Sequence, residues 1–206
     1  MIIIETIKSK FMRNLFDQNT YVLLSKKHAV IIDAGAEIED VKAVVGDRKV
    51  LAVLMTHLHF DHFWNIDKYV DEWACDVYVS KGEEGRLLDS RLNGSFIVKQ
   101  NIVKNIDAKF IKYYAEKLKL EEFGFEVTST SGHTSDSVCI LFEDKLFTGD
   151  TVFVDGIGRT DLADSSSFEM KNSLEKIKNI DFAVAFPGHY EPATKDKVLK
   201  EINYYL

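Results

Sequence analysis

Residues 50–55, Val-Leu-Ala-Val-Leu-Met, form an unbroken apolar run of strand length that leads directly into Thr56-His-Leu-His-Phe-Asp-His62. A strand with no polar position suits burial on both faces, so the chain has to build a sheet with material packed on each side. The segment that follows is equally constrained. The chain has six histidines, and His57, His59 and His62 lie together here with Asp61 among them. His57 and His59 are two residues apart, so an extended backbone projects them to the same side. Asp61 and His62 follow a change of direction that Phe60 and Phe63 can anchor. Four metal-binding side chains are thereby presented at the end of a buried strand.

Neutral imidazole and carboxylate together suit zinc, iron or manganese. Neither cysteine is nearby, so a thiolate site is not expected. One metal accommodates these four groups only with difficulty. Two accept them more easily, with His57 and His59 on one and Asp61 and His62 on the other. The chain supplies further candidates beside strand ends: His133 in SGHTSDS, Asp150 in FTGDT and His189 in FPGHY. Taken singly, His133 or His189 reads as an ordinary hydrogen-bonded histidine and Asp150 as a capping residue; beside HxHxDH all three become candidate ligands. A closed structural zinc site has four ligands, often cysteines, and this nitrogen and oxygen set does not fit one. Only His28, in the KKHA turn, stands apart, and it is expected at the surface.

Composition narrows the function class. Hydrophobic residues are 46 % and charged residues 29 %, as in soluble globular chains. The net charge of −7 carries no basic block, which argues against a nucleic-acid partner, because phosphate contacts dominate such binding. Cys75 and Cys139 form no framework and are expected as buried, reduced thiols. The opening MIIIETIKSK is too short for a signal-peptide core, and no run approaches the ~20 apolar residues of a membrane helix. A cytoplasmic protein with no membrane partner is the expectation.

With two prolines, eleven glycines and no linker or repeat, residues 1–206 read as a single domain. Strands are predicted at 1–7, 20–25, 29–33, 50–55, 137–142, 145–148 and 182–186, the last stopped by Pro187. Helices are predicted at 37–45, from a Ser166-to-Glu169 capping box through Ile177, and from a Thr194 cap with Val198, Leu199 and Ile202 as its apolar stripe. Residues 81–115 read as helices with a solvated charged face; a substrate-facing lid is the alternative, and their aromatics suit either core or an interface.

THLHFDH, SGHT, TGD and PGHY, in that order, resemble the metallo-β-lactamase superfamily, and Asp33-Ala34-Gly35 resembles its early acidic turn. The resemblance covers nearly the whole chain. It implies an α/β fold, an αβ/βα four-layer sandwich of two mixed sheets packed face to face with helices outside. It also implies two divalent metal ions, zinc first with iron or manganese as alternatives. One is given to His57, His59 and His133, the other to Asp61, His62 and His189, with Asp150 and a hydroxide bridging them. Within the superfamily, GDTVFVDGIGRTDL at 149–162 is similar to the run after the bridging Asp in glyoxalase II, the hydroxyacylglutathione hydrolases. Arg159 matches a position that contacts the glutathione portion of the substrate there; a surface salt bridge is its other reading. The chain resembles the short, single-domain relatives without a helical C-terminal extension, and it departs from many relatives at Ser131, where they have Pro, and Asp136, where they have Gly.

The expected activity is hydrolysis of a small-molecule thioester by a metal-bound hydroxide, with Asp61 orienting the nucleophile. The same resemblance admits a persulfide dioxygenase with one iron on His57, His133 and Asp150. A nuclease or phosphodiesterase is disfavoured by the acidic composition, a β-lactamase by the likeness to the thioesterase branch, and a non-enzymatic metal module by its need for a site with no open position.

Overall fold

The apolar run becomes strand β4, Lys49–Leu54, in which the consecutive residues Ala52, Val53 and Leu54 are all buried. Neighbouring residues of a strand point to opposite faces, so both faces are covered, as the absence of polar positions requires. The computed structural model describes residues 1–10 and 17–206, and the chain divides into two units, Met1–Tyr113 and Tyr114–Leu206.

In the first unit, β1 (Ile3–Lys8), β2 (Asn19–Leu24), β3 (His28–Ile32), β4, β5 (Asp76–Val79) and β6 (Ile111–Tyr113) form one sheet in sequence order. The β1/β2 and β2/β3 pairs are antiparallel, and the pairs from β3 to β6 are parallel. Parallel neighbours need crossovers; helices α1 (Ile38–Val45) and α2 (Ile66–Trp73) supply those from β3 to β4 and from β4 to β5. Ile66, Tyr69 and Val70 of α2 and Val41 and Val45 of α1 share a buried cluster with Val22, Leu24, Ala29, Ile31, Val53, Val77 and Val79. The strand members alternate, so one face of the sheet carries both helices.

The second unit contains β7 (Lys117–Leu120), β8 (Phe123–Ser129), β9 (Val138–Phe142), β10 (Lys145–Gly149), a hairpin of β11 (Val152–Phe153) and β12 (Gly156–Ile157), α3 (Ser167–Lys178), β13 (Val184–Pro187), β14 (Ala193–Thr194) and α4 (Lys195–Tyr205). Its sheet runs β14-β13-β10-β9-β8-β7, with only β10/β13 parallel. Met170, Leu174 and Ile177 of α3 and Val198 and Ile202 of α4 pack on Cys139, Leu146 and Ala185. The Ser166 hydroxyl caps α3 by accepting from the Glu169 N–H at 3.2 Å, as the capping box predicts. The fold class is thus α/β, with two mixed sheets and helices.

Several expectations need correction. Residues 81–115 hold no α-helix; they form 3₁₀ turns at Glu84–Leu88 and Ser95–Val98 and then β6. Left-handed backbone at Gly82, Gly94 and Lys99 interrupts any longer helix. Asn93 and Ser95 also spend their side chains on local backbone groups, offering the chain an alternative to helical bonding. Arg86, read as part of a charged outer face, is buried, with Nε donating to Glu83 at 2.7 Å and a terminal nitrogen donating to the Leu92 carbonyl at 3.2 Å. His28 is half-buried as the first residue of β3. Thr194 precedes α4 but makes no side-chain cap bond. Pro187 closes β13 from inside it. Among the described residues no helix is long and apolar enough to cross a membrane.

Both thiols are unpaired and buried. Burial disfavours the thiolate and pushes Cys75 up to about 12 and Cys139 up to about 11. At pH 8 a disulfide reagent should therefore leave the native protein unlabelled over minutes and react with both cysteines in guanidinium.

Candidate functional site

In an open sheet, side chains that serve a site gather at the carboxyl ends of parallel strands. Asp33 follows β3, and Thr56 and the three clustered histidines follow β4, its parallel neighbour. The Asp33 carboxylate is 1 % exposed and holds three groups. It accepts the Thr56 N–H at 2.8 Å, the Thr56 hydroxyl at 2.8 Å and the His62 Nδ1–H at 2.7 Å. The Thr56 hydroxyl has one proton and gives it to Asp33, so at 3.2 Å from His57 Nδ1 it accepts. Both His57 and His62 therefore carry their proton on Nδ1 and present the Nε2 lone pair, the arrangement that orients metal-bound histidines. The rings converge: His57 lies 4.1 Å from His62 and 4.9 Å from His59 between centroids. Asp61 Oδ2 lies 4.0 Å from His62 Nε2.

The backbone around this cluster is fixed by close packing. Ala34 donates to the His62 carbonyl at 2.6 Å, and Asn65 Nδ2 donates to the carbonyls of Gly35 and Ala36. The Tyr69 hydroxyl donates to the Ala36 carbonyl at 2.8 Å. A Cβ on Gly35 would overlap the Asp61 carbonyl and the Gln18 side chain. Asp33 itself sits at φ +60, a left-handed conformation that Asp tolerates better than most residues.

The second unit assembles a matching set. Asp150 follows β10 and His189 follows β13, its parallel neighbour, while His133 lies in the loop from β8 to β9. β8 runs parallel to β10, since each pairs antiparallel with β9, so all three residues reach the same edge. Gly188 donates to the Gly149 carbonyl at 2.8 Å and ties two of these ends together. His133 Nδ1 is 2.9 Å from the Arg159 carbonyl, which can only accept, so His133 also presents Nε2. Asp150 Oδ2 lies 3.6 Å from His133 Nε2 and 3.4 Å from His189 Nε2. Direct hydrogen bonds are shorter than this. Two ligands of a tetrahedral ion with ~2.1 Å bonds lie about 3.4 Å apart, so the spacing fits donors arranged around a cation.

Every ligand candidate read from the sequence thus stands in one of two converging sets: His57, His59, Asp61 and His62 in the first unit, His133, Asp150 and His189 in the second. The Arg159 guanidinium is exposed and holds Asp161 through two bonds of 2.9 Å, while its carbonyl supports His133. Sequence reading did not assign the work of Asp33, Thr56 or Gly158. A Cβ on Gly158 would overlap the Asp150 carbonyl and crowd the His133 ring. A Thr directly before the histidines, and an Asp closing the neighbouring strand, were the available signals.

The sequence profile of the metallo-beta-lactamase superfamily matches residues 13–189, through the last of these histidines. The chain belongs to this superfamily. A probable metallo-hydrolase of Bacillus subtilis (strain 168), YqgX, is 30 % identical over 83 % of this chain and 84 % of its own length. A probable metallo-hydrolase of Methanocaldococcus jannaschii, MJ0888, is 31 % identical over 85 % of this chain and 89 % of its own. The crystal structure of the BLEG-1 B3 metallo-beta-lactamase superposes with a TM-score of 0.89 at 29 % identity, covering 98 % of this chain and 99 % of that one. The superfamily member described here shares its fold with that crystal structure.

Replacing Asp33 by Asn keeps the volume but removes an acceptor shared by Thr56 and His62. Zinc affinity, measured by chelator competition, should fall by about 10- to 100-fold. Gly158→Ala should lower stability by about 1–3 kcal/mol in denaturant titration, since the overlapping atom belongs to the backbone.

Proposed function

We propose that this chain is a metal-dependent hydrolase that binds two divalent ions, zinc first, and cleaves small-molecule thioesters of the hydroxyacylglutathione type. The observation that carries the reading is the locking of His57, His62 and His133 through Nδ1, which leaves Nε2 of each as the coordinating atom. We assign one ion to His57, His59 and His133, the other to Asp61, His62 and His189, and a bridge to Asp150. The two units are read as halves of a single domain, since one family profile runs through both.

When bound, two such ions supply a hydroxide near neutral pH and a positive field for the oxyanion. The chain's own groups do the rest. Asp33 and Thr56 hold the ring planes, so the ligand atoms need no reorganisation. Asp61 would hold a metal through one carboxylate oxygen and could orient the nucleophile through the other. Thiols ionise near pH 8.5, so a thiolate departs without a strong general acid. Arg159 is proposed to contact the carrier of the acyl group, exchanging Asp161 for a substrate carboxylate. The protein is proposed to act in the cytoplasm, with no nucleic-acid or membrane partner.

A second reading is hydrolysis of a β-lactam amide, which the likeness to the B3 metallo-beta-lactamase structure favours. Elemental mass spectrometry on chelator-free protein, followed by thioester and β-lactam panels, separates the readings. Close to two ions per chain with thioester turnover is the expected result. Turnover of β-lactams alone supports the second reading. One iron per chain with oxygen uptake on glutathione persulfide makes the protein a dioxygenase instead. His59→Ala should lose metal and turnover together; a variant that kept both would overturn the assignment.

A further inference from the structure

The loop after Asp89 exposes two large apolar side chains, two and three residues beyond Gly94, which lies against the His59 ring. Phe96 is 60 % exposed and Ile97 is 47 % exposed, although burial of either would be favourable by about 1.5–3 kcal/mol. Their position is fixed relative to the cluster. The Asn93 carbonyl accepts the N–H of Phe60, the residue between His59 and Asp61, at 2.9 Å. Gly94 lies against the His59 ring, where an added Cβ would sit 3.5 Å from Cδ2 and 3.7 Å from Nε2. The loop is internally braced as well. Asn93 Nδ2 donates to the carbonyls of Arg86 and Ile102, the Ser95 N–H donates to Asn93 Oδ1, and Ser95 Oγ accepts the Ile102 N–H. The Phe96 N–H donates to the Ser90 carbonyl and the Ile97 N–H to that of Gly94. A loop so bonded to the segment that carries the ligands, and still exposing Phe and Ile, holds an apolar surface in place for something that arrives at the site.

We propose that Phe96 and Ile97 are specificity-determining residues that receive the apolar acyl chain of the substrate. This rests on the hydrolase reading above and deepens it: among thioesters, the site favours those whose acyl group carries an aliphatic chain. Gly94 has a direct part in this. At φ +77 and within van der Waals reach of the His59 ring, it fixes where the loop that carries the apolar pair starts relative to the ligand segment.

The test uses two readouts on zinc-loaded full-length protein. Calorimetry measures binding of straight-chain carboxylates from acetate to octanoate, and hydrolysis is followed on the matching S-acyl glutathiones. Wild type should gain about four-fold in affinity per added methylene, with kcat/KM rising in parallel. The double variant F96S/I97S should flatten both slopes, while F96L should retain them; the replaced side chains are exposed, and equal melting temperatures check the fold. A flat wild-type slope, or a slope unchanged in the double variant, overturns the inference. So does a wild-type dimer in sedimentation that F96S/I97S dissociates, since the pair would then serve a second copy of the chain. Absence of thioester turnover with the carboxylate slope intact defeats the thioesterase reading and leaves the apolar subsite standing.

Discussion

One buried carboxylate sets the geometry of the first unit. Asp33 lies at the end of β3 with almost no exposure, and it takes a backbone N–H, a hydroxyl and an imidazole N–H from residues beyond the end of β4. A buried carboxylate is costly unless its lone pairs are satisfied. Here satisfaction requires Thr56 and His62 in fixed places, so the same bonds that compensate the charge also position the ligand atoms. Stability of the turn and orientation of the site are two consequences of one interaction.

The second unit solves the same problem with backbone groups. The Arg159 carbonyl holds His133, and Gly158, directly before it, permits the close approach to Asp150. In this unit His133 turns Nδ1 to a carbonyl and Nε2 toward Asp150, which stands 3.6 Å from it and 3.4 Å from His189 Nε2, the spacing of donors around a cation. That is why a superfamily defined by metal chemistry and a structure carrying these side chains agree.

On the proposed reading, the Phe96 loop lets the ligand segment carry a specificity surface that can vary. Its backbone is tied to the ligand segment at Phe60, and Phe96 and Ile97 are exposed. Changes at the apolar pair can therefore alter which acyl group is taken without moving the metal-binding atoms. Loops presented by a fixed scaffold are where such variation is tolerated.

Local pattern made much of this chain legible. An apolar run without polar breaks can only be a doubly covered strand, and β4 is one. Histidines at a two-residue spacing after it share a side, and His57 and His59 do. The Ser166 cap and the stripe through Leu174 and Ile177 depend on residues within a few positions of one another, so propensity and period suffice. Residues 81–115 were misread because bonds outside the helical spacing take up their polar groups: the Lys104 N–H bonds the Leu87 carbonyl, Asn93 Nδ2 bonds the Ile102 carbonyl, and Arg86 bonds Leu92 as well as Glu83. The chemistry-bearing residue types were fixed by the sequence alone. Which nitrogen of each histidine carries its proton was decided only by tertiary structure, because Asp33 and Thr56, or His133 and Arg159, meet only when strand ends from separate parts of the chain are brought to one edge.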